Sequence, residues 1–286
     1  MADALLMQAL ILPAPAKLNL FLHITGRRAD GYHLLQTLFV FLDFGDDITL
    51  SVRADGEIHR PAGAADVPEH ADLTVRAARL LQQETGCRLG ADIHVQKRIP
   101  MGGGLGGGSS DAATVLKGLN HLWNCGLDDD ALATLGLRLG ADVPVFVRGH
   151  AAWAEGVGEQ LTPVELPTKW YVVIHPRVHV PTAELFSAPD LTRDCLPITL
   201  AAFHDGQGSN VFQPVVEKRY PEVANAISWL SGFAEARLTG SGSCLFAPVS
   251  SKGKGNKILQ NLPPEWFGFV AQGVTMSPLQ QRLVTV

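Results

Sequence analysis

A regular alternation of apolar and polar residues runs through positions 16–24, AKLNLFLHI. Leu18, Leu20, Leu22 and Ile24 share one face, and Lys17, Asn19, Phe21 and His23 share the other. Because successive side chains of a strand point to opposite sides of the sheet, this pattern predicts a strand with one apolar face and one mixed face. Lys17 and Asn19, two positions apart, should therefore lie side by side.

Strand patterns recur along the chain, at 47–53, 91–100, 169–176 and 268–274. The stretch ADGYHLLQT at 29–37 predicts a turn that returns into the apolar run 38–42. Residues 141–164 predict strands and a hairpin that turns at Gly156 and Gly158, and residues 236–249 predict two strands joined by a glycine turn.

Helical spacing is clearest at 72–86, 109–123 and 128–140. In the second of these, Ser109 or Ser110 is expected to cap the helix, and Asp111 suits its first turn. A short helix is predicted at 181–186 and proline-interrupted helices at 211–230. The Gly-rich and Lys-rich stretch KGKGNK at 252–257 predicts a solvated loop.

The most unusual stretch is MGGGLGGGSSD at 101–111, in which six of the eleven residues are glycine. It lies between a predicted strand and a serine-rich helix start. The first amides of a helix have no intrahelical acceptor, and its dipole places positive charge there. Without Cβ atoms, phosphate oxygens can approach the main chain, so this arrangement predicts phosphate binding rather than a flexible linker.

Three better-known phosphate signatures do not fit this loop. A P-loop requires Lys and then Ser or Thr after its last glycine, and the stretch contains no lysine. Gly102, Gly104 and Gly107 satisfy G-x-G-x-x-G, but the following helix leads into a second helix rather than into a strand that ends in an acidic residue. Asp43-Phe44-Gly45 precedes the loop without an accompanying H-R-D, which excludes a protein kinase.

Composition narrows the class of protein. Hydrophobic residues make up 46% and charged residues 18% of the 286, which is typical of a soluble globular protein. The net charge of −5 and the absence of a Lys/Arg stripe argue against nucleic-acid binding, and no apolar run is long enough to cross a membrane. The N-terminus lacks the basic region of a secretory signal, and the four separated cysteines predict reduced thiols in a cytoplasmic protein.

Several separated motifs together resemble the GHMP kinase superfamily. They are PAPAKLNLFL at 13–22, PMGGGLGGGSSDAA at 100–113 and RLTGSGSCLFA at 237–247. With GRRADGYHLLQT and LGADVPVF, the resemblance narrows to the kinases that phosphorylate the 2-hydroxyl of 4-diphosphocytidyl-2-C-methyl-D-erythritol in non-mevalonate isoprenoid precursor biosynthesis. It implies an α+β fold, with an N-terminal domain like domain 2 of ribosomal protein S5 (1–160) and a ferredoxin-like C-terminal domain (161–286).

The resemblance implies an ATP site and a catalytic pair. The phosphates of ATP would be cradled by Pro100, Met101, Gly102, Gly103, Gly104, Leu105, Gly106, Gly107, Gly108, Ser109 and Ser110, and Lys97 is a further candidate for the nucleotide. Asp142 matches the family's catalytic aspartate and Lys17 its active-site lysine. Mg²⁺ is expected with ATP, but its protein ligands stay open, since helix capping explains Asp111 equally well.

The acceptor side rests on the same resemblance. It implies that Tyr32 and Phe186 stack on cytosine, that His33 hydrogen-bonds the edge of the base, and that Asn19 reaches the methylerythritol hydroxyls. Thr182 would contact the substrate, and Gly240, Ser241 and Gly242 would lie near its phosphates. The alternatives are another GHMP kinase, of homoserine or mevalonate type, and a non-catalytic nucleotide-binding protein. Monomer and homodimer are both compatible with the sequence.

Overall fold

The fold was analysed in a computed structural model that describes residues 9–63 and 67–285. The interpretation of the N-terminus as no secretory signal includes residues 1–8, which lie outside the described residues. None of the described helices is long and apolar enough to cross a membrane. Cys87, Cys125, Cys195 and Cys244 are free thiols, as their spacing predicts.

Ten strands form one mixed sheet within the described residues. They are β1 (Ala9–Arg27), β2 (His33–Arg53), β3 (Ile58–Ala62), β4 (Gly90–Gln96), β5 (Ala152–Glu155), β6 (Gln160–Pro163), β7 (Lys169–His175), β8 (Arg237–Leu238), β9 (Leu245–Val249) and β10 (Phe267–Val274). The main path is β3-β4-β2-β10-β7-β9-β8, while β1 pairs with β2, and β5 joins β2 to β6. Among the strand pairs that the structure describes, β3–β4 alone is parallel.

Ten α-helices cover the sheet in the same part of the chain. They are α1 (Leu73–Thr85), α2 (Gly107–Leu122), α3 (Asp129–Leu137), α4 (Val143–Arg148), α5 (Thr182–Phe186), α6 (Leu200–His204), α7 (Gln213–Arg219), α8 (Pro221–Ser231), α9 (Lys252–Leu259) and α10 (Pro278–Leu283). A single 3-10 turn covers Glu69–Ala71. This mixture of helices with a mostly antiparallel sheet confirms the predicted α+β class.

Two large hydrophobic clusters lie at the two ends of the sheet. The first packs α1 to α4 on β1, β2 and β4, and the second packs α7 to α9 on β7 and β9. A third cluster, around Leu18, Leu38 and Phe269, lies between them. The boundary at 160/161 stays a prediction, because β2 pairs with β10 and Leu279 of α10 belongs to the first cluster.

The hairpin of β1 and β2 shapes the region that carries Lys17. The register shifts between Pro15 and Lys17 and again between Asn19 and Leu22. Such bulges bend a strand and change the direction of its side chains. The segment 17–19 is thus bracketed by two irregularities, and Lys17 and Asn19 do lie side by side, as the alternation predicts.

The predicted serine cap of the helix after the glycine loop is wrong. Helix α2 begins at Gly107, and its capping residue is Gly106, which has φ +74° and makes no side-chain cap. Ser110 is buried and its hydroxyl donates to the carbonyl of Pro15 at 2.7 Å. Because the helix begins at the glycines, earlier than predicted, Ser109 and Ser110 lie within its first turn and do not cap it.

Two further local predictions are wrong. Residues 143–148, expected as a strand, form α4, with Pro144 in its first turn and Gly149 left-handed at its end. A short run of buried apolar residues does not distinguish a strand from a helix buried on all sides. The expected loop at 252–257 is part of α9, because Ser251 caps it through the amide of Lys254 and Gly255 lets it approach Val172 and Val270 closely.

A glycine in α2 gives a test of how this helix packs on the sheet. A Cβ on Gly118 would lie 2.5 Å from Cδ1 of Leu50 and 2.8 Å from Cδ1 of Leu12. Gly118→Val should lower the free energy of unfolding by about 1–3 kcal/mol, because both leucines are fully buried and must shift. The free energy is measured by urea unfolding.

The control is Gly253→Val on the exposed side of α9, where an added Cβ meets nothing closer than 4.0 Å. That variant should stay within about 0.5 kcal/mol of the wild type. Equal unfolding midpoints for the two variants would show that α2 does not press on the sheet at Gly118.

Candidate active site

A cleft of about 1340 Å³ opens beside the glycine loop and brings the predicted site residues together. Its walls contain Lys17, Asn19, Tyr32, His33, Lys97, the whole stretch 100–109, Asp142, Thr182, Phe186, Gly240 and Ser241. Two of the predicted residues, Ser110 and Gly242, do not line it. Groups that are up to 224 residues apart in sequence thus face one space.

The ammonium of Lys17 is the most constrained charge of the cleft. It donates to Oδ1 of Asn19 at 2.5 Å and to the carbonyl oxygen of Gly104 at 2.9 Å. Its third neighbour is Oδ2 of Asp142 at 3.4 Å, and only 3% of the Lys17 side chain is exposed. Its nitrogen also lies 5.4 Å from the centroid of the Phe39 ring, a favourable distance for a cation above an aromatic face.

Asp142 reaches Lys17 because of how α4 begins. It occupies the residue before the helix, yet its side chain makes no capping bond, so the carboxylate is directed to the cleft instead. Its side chain is 38% exposed, unlike that of Lys17. Lys17 is therefore a buried cation at a fixed position, and the Asp142 carboxylate beside it is accessible to a molecule in the cleft.

The glycine loop is required by the protein's own packing as well as by any ligand. Gly102, Gly104 and Gly106 have φ between +66° and +76°, a region that favours glycine. A Cβ on Gly104 would lie 2.2 Å from the carbonyl oxygen of Thr239, and one on Gly106 would lie 2.7 Å from the Phe146 ring. The loop is therefore clamped between α4 and the third motif.

Lys97 lies in the wall of the cleft beside Gly107, in a network that the sequence did not predict. Its ammonium lies 2.5 Å from Oδ2 of Asp46 and 2.7 Å from Oδ2 of Asp111. Oδ1 of Asp46 accepts from the amides of Arg98 and Ile99. Oδ1 of Asp111 is buried and has no hydrogen-bond partner among the described residues.

Burial and the oppositely charged neighbours act in opposite directions on the pKa values of Asp111 and Lys97. Burial raises the pKa of Asp111, Lys97 opposes the shift, and the nearby Asp46 carboxylate adds to it. For Lys97, burial acts against the charged form, but the two carboxylates outweigh it and raise the pKa of the ammonium. Lys97 is therefore a firmly held cation with an acidic partner on each side.

The part of the cleft around His33 and Phe186 contains the aromatic residues expected from the sequence, in an arrangement that the motif alone did not reveal. The ring that stacks on Phe186 is that of His33, with centroids 4.9 Å apart and planes at 29°, whereas Tyr32 is 65% exposed. Phe186 also meets the ring of Phe212 edge-on at 5.0 Å. Thr182 and Ser241 join across the cleft through their hydroxyls at 2.7 Å.

Arg193 is a site residue that sequence reasoning missed. Its guanidinium donates to the carbonyls of Phe186, Ala188 and Leu191, and its Nε donates to Nε2 of His33 at 3.2 Å. Burial, then Arg193 and then Arg27 lower the pKa of His33. His33 is accordingly neutral at neutral pH, with Nε2 as acceptor and Nδ1–H as donor. No motif surrounds Arg193, so only the fold could reveal it.

Comparison with known proteins identifies the family of this site. The family model for the GHMP kinases N terminal domain matches residues 72–150, and that for the GHMP kinases C terminal matches residues 193–267. A 4-diphosphocytidyl-2-C-methyl-D-erythritol kinase of Alkalilimnicola ehrlichii is 59% identical over 95% of this chain and 93% of its own length.

Solved structures agree with this match. A crystal structure of 4-(cytidine 5'-diphospho)-2C-methyl-D-erythritol kinase aligns with a TM-score of 0.79 and 33% identity, covering 92% of this chain and 99% of its own. Homoserine kinase from Cytophaga hutchinsonii aligns with a TM-score of 0.67 at 17% identity, over 95% of this chain and 96% of its own, which shows a shared fold. The chain thus belongs to the GHMP kinases and, within them, to the family of 4-diphosphocytidyl-2-C-methyl-D-erythritol kinases.

Proposed function

We propose that this protein transfers the γ-phosphoryl group of ATP to the 2-hydroxyl of 4-diphosphocytidyl-2-C-methyl-D-erythritol, which gives the 2-phosphate and ADP. The substrate is that named for its relatives. The observation that carries the proposal is the Lys17–Asp142 pair, 3.4 Å apart, in one cleft with the glycine loop. Mere nucleotide binding has no need of an acidic group at that place, whereas an alcohol acceptor has to lose its proton.

The glycine loop is proposed to hold the triphosphate. Residues 102–108 line the cleft with main chain rather than side chains, and the loop leads directly into the N-terminus of α2. Unpaired amides and the helix dipole at such an end favour phosphate oxygens. Ser109, which lines the cleft, adds a hydroxyl, while Ser110 is buried under the loop and supports it through Pro15.

Asp142 is proposed as the base and Lys17 as the fixed positive charge. The 2-hydroxyl gives its proton to the Asp142 carboxylate as its oxygen forms a bond to the γ-phosphorus, and the bond to the β,γ-bridging oxygen breaks to release ADP. Lys17, held in place by Asn19 and Gly104, stabilises the negative charge that builds up on the attacking oxygen and the transferring group.

Mg²⁺ is proposed to accompany ATP. Phosphate oxygens supply most of the ligands of Mg²⁺ in such sites, and the protein adds one or two oxygens. Asp111 fits this requirement, because its Oδ1 is buried, lacks a partner and belongs to a residue that lines the cleft beside the loop. When bound, the ion would neutralise phosphate charge.

The cytidine end of the substrate is proposed to bind at Tyr32, His33 and Phe186. His33 occupies the stacking position on Phe186, so a pyrimidine ring that stacks there has to replace the imidazole or lie beside it against Tyr32. The Nδ1–H of a neutral His33 suits an acceptor on the base edge. Thr182, Gly240 and Ser241 lie on the path from this end to Lys17 and are proposed to contact the diphosphate.

The activity itself is tested by incubating the protein with ATP, Mg²⁺ and 4-diphosphocytidyl-methylerythritol. We expect a product heavier by one phosphoryl group, with phosphorus–carbon coupling by NMR at C2, and equimolar ADP. Homoserine and mevalonate serve as control acceptors and should give no product. Turnover of either control without turnover of the cytidylated substrate would contradict the proposal.

Asp142→Asn and Lys17→Met test the catalytic pair. Each variant should lower kcat by about 10²–10⁴-fold, because one removes the proton acceptor and the other the fixed charge. The affinity for ATP, measured by calorimetry, should change little since the glycine loop is intact. Near-normal turnover of a correctly folded variant would remove that residue from the mechanism.

His33→Ala tests the cytosine end. Loss of the ring contact and of the hydrogen bond should raise KM for the cytidylated substrate about tenfold or more and leave KM for ATP nearly unchanged. His59→Ala, which removes an exposed histidine of β3 outside the cleft, is the matched control and should alter neither constant. Equal increases in both KM values for His33→Ala would count against a role in base recognition.

A further inference from the structure

We infer that Thr37, the residue of β2 that ends the GRRADGYHLLQT stretch and to which the sequence assigned no role, is a positioning residue that sets the catalytic geometry of Lys17 through the side-chain amide of Asn19. This inference rests on the proposed role of Lys17. Thr37 lies at the floor of the cleft and only 1% of it is exposed. Its hydroxyl uses both its donor and its acceptor capacity within the protein.

The hydroxyl of Thr37 determines the direction of the hydrogen bonds that link it to Phe21 and Asn19. A main-chain carbonyl only accepts, so the Thr37 hydroxyl donates its proton to the carbonyl of Phe21, at 2.5 Å. The Thr37 oxygen is then left to accept, and it does so from Nδ2 of Asn19 at 2.9 Å. The nitrogen end of the Asn19 amide must therefore face Thr37, and its oxygen end must face away.

The orientation of the Asn19 amide determines which of its atoms faces the Lys17 ammonium. Oδ1 of Asn19 accepts from the Lys17 ammonium at 2.5 Å, and the other two ammonium protons face the carbonyl of Gly104 and the carboxylate of Asp142. Three donors thus meet three acceptors in a nearly water-free setting. A reversed amide would place NH₂ against the ammonium, a contact of donor with donor, and the ammonium would have to turn away.

The main chain of Asn19 is held independently of its amide. Its N–H donates to the hydroxyl of Thr239 at 2.9 Å, and the bulge after it separates this segment from the regular ladder of β1. Loss of the Thr37 hydroxyl would therefore free the amide to rotate without moving the strand. The second N–H of the fixed amide stays available to the substrate, which agrees with the predicted contact of Asn19 with the acceptor.

Thr37→Val tests the relay, by which we mean the hydrogen bonds from Thr37 through Asn19 to Lys17. Valine has the shape of threonine but no hydroxyl. We expect kcat to fall by about 10- to 100-fold while KM for ATP stays within about twofold. Thr37→Ser, which restores the hydroxyl, should recover most of kcat. Thr114→Val is the matched control: it removes another buried hydroxyl, one that donates to the Pro13 carbonyl at 3.4 Å outside the cleft, and should leave kcat unchanged.

A double-mutant cycle with Lys17→Met shows whether Thr37 acts through Lys17. In the Lys17→Met background, Thr37→Val should cost less than about twofold in kcat, since no ammonium is left to position. Thr37→Ala provides a second hydroxyl-free protein with no added group, should the valine variant not fold.

The outcomes separate the two ideas. Wild-type kcat in Thr37→Val, no recovery with serine, or equal losses in both backgrounds would overturn the relay while the role of Lys17 stands. An unchanged kcat in Lys17→Met alone would remove the role of Lys17, and the relay with it.

Discussion

The site depends on burying the ammonium of Lys17. A buried charge is costly unless every proton that it carries finds an acceptor. Here the acceptors come from three parts of the chain: Asn19 on the same strand, Gly104 in the glycine loop and Asp142 before α4. Because one charge requires all three, the loop, the strand and the start of the helix are held at fixed distances. The geometry that suits phosphoryl transfer is thus the same geometry that makes this charge tolerable.

The glycine loop connects this charge to the rest of the fold. Gly104 approaches the main chain of Thr239, and the Thr239 hydroxyl accepts a hydrogen bond from the main-chain N–H of Asn19. The motif at 237–247 therefore contacts both the loop and the strand that carries Lys17. Gly106 allows the ring of Phe146 in α4 to lie against the loop from the other side. A side chain at Gly104 or Gly106 would collide with Thr239 or Phe146 and push these elements apart even without a bound nucleotide. The glycines therefore serve close packing and ligand access at once.

Much of the fold and of the candidate site could be predicted from sequence, where the signal is local. Alternation places Lys17 beside Asn19, and the resemblance to the GHMP kinases implies Lys17 and Asp142 as a catalytic pair. The errors arise where tertiary contacts decide. Residues 143–147 are all apolar and buried, so their periodicity does not distinguish a strand from a helix, and burial selects the helix. Ser110 is a good capping residue that the fold uses instead to hold Pro15.

The residues that sequence reasoning missed share one property, which is that they act through another side chain. Thr37 orients Asn19, Arg193 fixes the proton of His33, and Asp46 holds Lys97. Thr37 ends the GRRADGYHLLQT motif without a role implied for it, and Arg193 and Asp46 lie in no motif. The partners of these three residues are 18, 160 and 51 residues away in sequence. Their roles become visible only when donors and acceptors are matched atom by atom.

The two lysines of the cleft differ in how their charge is balanced, and this difference has consequences for catalysis. Lys97 lies between two buried carboxylates, so the cluster as a whole carries an excess of negative charge when both are ionised. Burial first, and then Asp46, raise the pKa of Asp111, which favours the protonated form of this carboxyl and so reduces the excess. Lys17 faces a single, accessible carboxylate that a substrate proton can neutralise. In the proposed mechanism, the positive charge of Lys17 is therefore the one left to act on the transferring group once Asp142 takes up the proton.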